Sequence, residues 1–393
     1  MDNAVLLSLA AKRSPSYIFD ADLLRERIAS CRKIVGPTIS LCYSIKANPF
    51  LISSIAESVD SLEVCSPGEL EICHDASLDP KLVFYSGVTK TATDIERALD
   101  LGVRRFTAES LEHVRLLNKA ATERGLILPV WLRLTAGSQF GMDERDLRSV
   151  IKEREELPGL SVEGIHFFAG TQQKRLNGQR KQLAKLAAFL DDLEREYGVR
   201  IKNVEFGPGL YFPYFEGEDS EDTLIPLKEL APDLQILSER CQLTIEMGRF
   251  FASPCGTYLT KVVDVKENCG TSIAILDGGM HHVNYFGGSM GMRIPLLQNL
   301  SQLPEDQQNK KEWMLCGSLC TTADVLVRGI SIGDLKIGDV LAFQNVGAYS
   351  VTEAPGFFLS RDLPAIFLHD KGRIIMLRDT IPSWRFNSPV NNS

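Results

Sequence analysis

The sequence predicts an α/β protein: a (β/α)8 barrel over residues 30–250, with residues 1–29 and 251–393 forming an antiparallel β domain. Three observations carry this. β-rich runs recur eight times before residue 250. Segments of helical period separate them. After Phe250 that period fades, and β-branched runs between turn signals take over. A doubly wound open sheet is the competing arrangement, and the count of eight favours closure. The length of 393 residues also exceeds one ordinary domain.

The eight runs are 40–46, 61–66, 82–87, 105–108, 129–134, 164–170, 203–209 and 243–248. Between them, 109–124 and 180–197 read as helices. In the second, Leu183, Leu186, Leu190 and Leu193 keep three- and four-residue spacings with charges between. Strands are expected in the β domain at 257–265, 272–277 and 339–343, and residues 16–20 suit a strand that joins this domain before the chain enters the barrel. The polar stretch 302–311 reads as an exposed loop.

Composition narrows the function. Hydrophobic content of 44% against 24% charged residues supports a buried core. A net charge of −8 disfavours nucleic acid and anionic membranes as partners. No apolar run reaches the length of a bilayer span. Residues 5–11 are apolar, but no basic segment precedes them, so they do not read as a signal peptide. Nine scattered cysteines, odd in number and without a CxxC pair, predict free thiols in a reducing cytoplasm.

Barrels gather reactive residues at the C-terminal ends of their strands. The first ends Tyr43-Ser44-Ile45-Lys46-Ala47-Asn48. A lysine at an apolar strand end is either paired structurally or used as an amine nucleophile, because burying an ammonium is costly. The second ends in Glu63 and Ser66-Pro67-Gly68-Glu69, a helix start with Glu69 as capping partner. The seventh ends Gly207-Pro208-Gly209, either a plain turn or a close approach to an anion. The eighth ends Glu246-Met247-Gly248-Arg249, where the apolar Leu243 and Ile245 argue against a surface salt bridge. Beyond the barrel stand Gly317-Ser318-Leu319-Cys320-Thr321 with Asp324, and Gly347-Ala348-Tyr349. Taken singly, the cysteine and the tyrosine are more often packing residues.

In this order the motifs resemble those of the fold-type III pyridoxal-phosphate (PLP) decarboxylases, the ornithine, arginine and diaminopimelate decarboxylase family, over residues 17–358. The resemblance implies a PLP-binding barrel and β domain of the alanine-racemase and ornithine-decarboxylase type. It implies that Lys46 holds PLP as a Schiff base and that Glu246 keeps the pyridine nitrogen protonated. It places the phosphate near Gly207 and Gly209 with Arg249 and Tyr349 donating, and Glu63, Arg133, Phe168 and Thr171 near the cofactor. Cys320 becomes the general acid, reaching the site from the partner subunit of a homodimer with shared active sites.

Three departures bear on the substrate. Phe168 stands where the family stacks a histidine on the pyridine face, with His166 two residues earlier. Thr321 follows the cysteine where ornithine- and diaminopimelate-type enzymes carry a charged-group reader. His281 and His282 stand where the family has other residues, as a loop contacting substrate or the partner subunit; no metal is expected there. These segments resemble a biosynthetic subgroup that includes glutamyl-[acyl-carrier-protein] decarboxylase. That implies an α-decarboxylase acting on an amino acid whose distal end is extended or tethered, in secondary-metabolite or siderophore-type biosynthesis, and admits an acyl-carrier protein as a partner. Arg293 is the nearest cation in sequence that could read an anionic end. Diaminopimelate decarboxylation in lysine biosynthesis, amino-acid racemisation and a non-catalytic binding role are the alternatives. Glu246 counts against racemisation, since alanine racemases put an arginine at the pyridine nitrogen.

Overall fold

A computed structural model describes residues 1–285, 291–302 and 310–389. Two compact units emerge. One comprises Arg25–Phe212 and Glu221–Phe251, the other Met1–Leu24, Pro213–Ser220 and Ala252–Ser393.

The first strand, β1 (Ser16–Asp20), belongs to the second unit. The next eight close a parallel barrel: β2 (Ser40–Ser44), β3 (Ser61–Val64), β4 (Val83–Tyr85), β5 (Arg105–Ala108), β6 (Leu128–Leu134), β7 (Leu160–Phe168), β8 (Asn203–Gly207) and β9 (Gln242–Met247). Closure comes from β2 lying between β3 and β9, with Ser44 opposite Glu63 and Cys42 opposite Glu246. Most runs end earlier than expected because strand pairing stops where the chain turns at the mouth, and Lys46 itself sits in the 3-10 turn Ile45–Ala47.

Local chemistry starts and stops the surrounding helices. The Ser66 hydroxyl accepts from the Glu69 N–H, while the Glu69 carboxylate reaches back to the Cys65 N–H at 2.7 Å, one residue earlier than the capping pattern predicts. Thr91 and Asp94 form a reciprocal capping box. The helix Leu176–Tyr197 begins four residues before the expected start and ends at Gly198 in the left-handed conformation.

The second unit is a mostly antiparallel sheet. It contains β1, β10 (Gly256–Asn268), β11 (Thr271–Leu276), β12 (Leu297–Asn299), β13 (Lys310–Cys316), β14 (Val325–Gly333), β15 (Val340–Gln344), β16 (Ala365–Asp370) and β17 (Arg373–Arg378). β1 joins it between β10 and β16. The β1–β16 and β11–β13 pairs are parallel, the remainder antiparallel. The apolar N-terminal stretch forms the helix Asn3–Lys12, whose Leu6, Leu9 and Ala10 pack with Ile18, Leu259 and Phe367. Of the loop expected at 302–311, residues 303–309 lie outside the described residues, and Lys310 and Lys311 open β13 instead. Among the described residues no helix is long and apolar enough to cross a membrane.

Candidate active site

Three strand ends converge on one amine. Lys46 Nζ donates to Glu63 Oε2 at 2.7 Å, lies 3.6 Å from Glu246 Oε1 and is 3.4 Å from Cys65 Sγ. The side chains of Glu63 and Glu246 are 1% and 6% exposed, while that of Lys46 keeps 38%, so a reactive amine is presented over a buried acidic floor. Both Glu246 oxygens are held: Ser44 Oγ donates to Oε1 at 2.8 Å, and His166 Nε2 lies 3.0 Å from Oε2. Burial opposes ionisation, but Lys46 and the His166 hydrogen bond outweigh it and hold Glu246 well below the usual carboxylate range.

Two groups near it are kept neutral. Burial, with Glu246 nearby, pushes Glu205 up to about 8. Burial and then Glu63 push the Cys65 thiol well above its ordinary value. One carboxylate therefore stays charged while a second, on the adjacent strand β8, holds a proton.

Two loops meet above this floor. Gly209, at φ +57°, passes so close to the Gly170 carbonyl that a Cβ would lie 1.8 Å from its oxygen. Three glutamine contacts latch the loops together: Gln179 Nε2 and Gln173 Nε2 both donate to the Pro208 carbonyl, and Gln173 N–H to the Gly209 carbonyl. Phe168 ends β7 beside Gly207, and Arg249 Nε donates to Thr171 Oγ1 at 3.2 Å. Arg133 is buried and paired with Glu109 at 2.8 Å, with its guanidinium over the Phe140 ring.

The remaining expected residues stand on the β unit. Cys320 is exposed. Its turn is fixed by Asp324, whose Oδ2 accepts the Leu319 N–H and Oδ1 the Met280 N–H, both at 2.8 Å. Thr321 Oγ1 accepts the Ala323 N–H. Tyr349 adopts φ +64° and begins the helix Ser350–Glu353, just after Gly347, where a Cβ would lie 1.9 Å from the Ala252 carbonyl oxygen. His281 and His282 are both buried. Arg293 does not offer a free charge: it pairs with Glu218 at 2.8 Å and covers the Phe215 ring.

Sequence alone does not single out Ser44, Cys65, Glu109 and Glu205, nor give His166 its carboxylate partner. A usable signal existed for two of them. His166 and Glu205 are polar residues inside apolar strands, the same anomaly that marks Lys46 and Glu246, and they pair across β7 and β8.

This donor set fits pyridoxal phosphate. It offers a primary amine for the aldehyde, a carboxylate held anionic for the ring nitrogen, and arginine, threonine and a glycine loop for the phosphate. Comparison with known proteins agrees. The model of the pyridoxal-dependent decarboxylase, pyridoxal binding domain, matches residues 21–253. The L-glutamyl-[BtrI acyl-carrier protein] decarboxylase of Niallia circulans is 26% identical, over 96% of this chain and 94% of that protein. The diaminopimelate decarboxylase of Vibrio cholerae is 30% identical over 88% and 85%. The diaminopimelate decarboxylase structure from Methanocaldococcus jannaschii superposes with a TM-score of 0.86 at 24% identity, covering 96% of this chain and 92% of that one. The matched model spans more than half of the chain, and the chain belongs to that family of carboxy-lyases: it is a pyridoxal-phosphate-dependent amino-acid decarboxylase.

Proposed function

We propose that the enzyme removes the α-carboxylate of an amino acid whose distal end is an acyl, amide or carboxylate group, free or tethered to a carrier protein, in a biosynthetic pathway of the secondary-metabolite type. The observation that carries this is the turn after Cys320. Its next residue is a neutral threonine whose hydroxyl accepts a local N–H, where an ammonium reader would need a carboxylate. Similarity to a glutamyl-carrier decarboxylase along nearly the whole chain supports the same reading.

When bound, the cofactor supplies a sink for the electron pair left as carbon dioxide departs. Lys46 is the group that anchors it. Glu246, kept anionic by Lys46 and His166, holds the proton on the ring nitrogen. Arg249 and Thr171, beside Gly207 and Gly209, hold the phosphate, and Phe168 supports the ring. Cys320 would return a proton to the α-carbon, in a homodimer whose active sites draw on both subunits. Tyr349 completes the phosphate contacts in the same assembly.

The second reading is diaminopimelate decarboxylation, favoured by the 30% identity to the Vibrio cholerae enzyme. Turnover number over Michaelis constant across diaminopimelate, lysine, ornithine, glutamate and distally acylated glutamate separates the two. Weak or no turnover of the three diamines is expected. A charge-assisted hydrogen bond of about 1.5–3 kcal/mol is missing, roughly ten- to a hundredfold in specificity. Efficient decarboxylation of diaminopimelate overturns the proposal.

A further inference from the structure

The β unit contains a cavity of about 380 Å³ bordered by Ser14, Asp277, His281, His282, Arg361 and Asp362 among others. The two adjacent histidines differ there. His282 spends both ring nitrogens, Nδ1 on the Tyr258 hydroxyl at 3.2 Å and Nε2 on the Asp362 carbonyl at 2.7 Å. His281 is 1% exposed, and neither of its ring nitrogens has a hydrogen-bond partner. The buried hydroxyl of Ser14, on the same cavity, lacks one as well. Buried polar atoms are nearly always hydrogen-bonded, so three unpaired ones around one cavity mark a place where something else supplies the bonds.

The charges select the ligand. Burial, then Arg361, lowers His281 to about 4, so near neutral pH it offers one N–H and one lone pair. Arg361 is exposed, donates to the Ser318 carbonyl at 2.9 Å, and has no carboxylate partner among the described residues. On the acidic side, Asp277 Oδ1 already accepts the Thr260 hydroxyl and the Lys261 N–H, and Asp362 is exposed. A guanidinium, an imidazole N–H and a hydroxyl favour an oxygen acceptor, and Arg361 repels an ammonium.

We propose that this cavity binds a carboxyl or acyl carbonyl group and that this group is the distal end of the substrate. The second half rests on the reading given under Proposed function. The cavity is tied to the reactive cysteine within the same unit. Asp324 bonds both Met280 and Leu319, the immediate neighbours of His281 and Cys320, and Arg361 bonds Ser318. Occupation of the cavity and the placement of Cys320 therefore share one hydrogen-bonded frame.

Calorimetric titration of the holoenzyme with glutaramate, which has no α-amino group to react with the cofactor, tests the site. Cadaverine serves as the diamine control. Wild type is expected to bind glutaramate and to shift the His281 ring signals in its NMR spectrum. Arg361→Ala and His281→Ala should each weaken binding about ten- to a hundredfold. Arg361 is exposed, so its variant keeps the test valid even if His281→Ala melts early. Equal binding to wild type and Arg361→Ala, or cadaverine displacing glutaramate, overturns the site. Glutaramate that still shifts His281 in an enzyme that turns over diaminopimelate supports the carbonyl site and overturns its assignment to the substrate.

Discussion

Lys46 and Cys320 are held by opposite means. Lys46 is held by side chains: two buried carboxylates and a thiol, and behind them Ser44 at the end of its own strand and His166 of β7. Cys320 rests on backbone, its turn pinned because one aspartate accepts two main-chain N–H groups, and the thiol itself is exposed. A group that must stay chemically tuned is surrounded by charge in a dry interior, where electrostatic interactions are strong. A group that must be offered outward needs only its position fixed. The barrel unit therefore surrounds its lysine with its own charged side chains, whereas the β unit leaves its cysteine thiol exposed.

The largest effect should come from separating these two contributions. Lys46→Ala should abolish activity, the visible absorbance of the bound cofactor and its borohydride trapping, since no other amine sits on the acidic floor among the described residues. Cys320→Ala should keep the absorbance and lose about 100- to 10,000-fold in turnover, the range for a missing general acid. Mixed subunits of the two variants, with exchange verified by mass, should recover part of the activity if each site draws on both chains. Exchange without recovery would mean that Cys320 serves its own barrel.

Glu246→Gln probes the charged side of the comparison. It preserves shape and the Ser44 contact but removes the anion. Bound cofactor should persist while turnover falls roughly 100- to 1000-fold, as for loss of a positioned electrostatic partner. An unchanged turnover number would show that the carboxylate at the ring nitrogen does not govern the chemical step.

The barrel was legible because its signals are local. Apolar strand ends punctuated by Lys46, Glu63 and Glu246 mark a mouth, and eight repeats mark closure. What stayed hidden depends on residues distant in sequence. Arg293 looks like a free cation until the fold sets Glu218 against it, 75 positions away. Arg361, 80 positions beyond His281, looks like a surface residue until the cavity gathers both. The glutamine latches between the 170 and 209 loops join uncharged side chains to the Pro208 carbonyl, which no periodicity announces. Asp324 was visible as part of a motif, but its work is done through the Met280 N–H, 44 residues upstream.

That aspartate tests the backbone-held half. Asp324→Asn leaves one acceptor oxygen for two N–H groups, so one faces an amide NH2 and loses its bond. A stability loss of about 1–3 kcal/mol is expected. Turnover should fall about tenfold, equivalent to 1.4 kcal/mol on the barrier, with cofactor absorbance unchanged. A lower melting temperature with full turnover would show that the placement of Cys320 tolerates a loosened turn.

The smallest effect is one of pH, and it isolates the neutral part of the acidic floor. Glu205 is buried beside Glu246, and burial raises its carboxyl to about 8 in the fold from 4.5 in the unfolded chain. The folded protein therefore binds one more proton than the unfolded chain between those values. Stability must fall as pH rises through that window, because the unfolded state releases the proton more readily. The contribution is fully present below about 4.5 and lost on passing about 8. Lys90, which burial lowers to about 8 against the pull of Glu109, acts with the opposite slope, but only above that pH. Glu205→Gln mimics the protonated acid and cannot titrate. Relative to wild type it should be nearly neutral at pH 5 and become stabilising towards pH 8, by up to about 2–4 kcal/mol. Urea unfolding of the holoenzyme at the two pH values measures the difference directly. Parallel curves for variant and wild type would mean that Glu205 is already ionised in the fold, leaving the adjacent strands β8 and β9 each with a charged carboxylate.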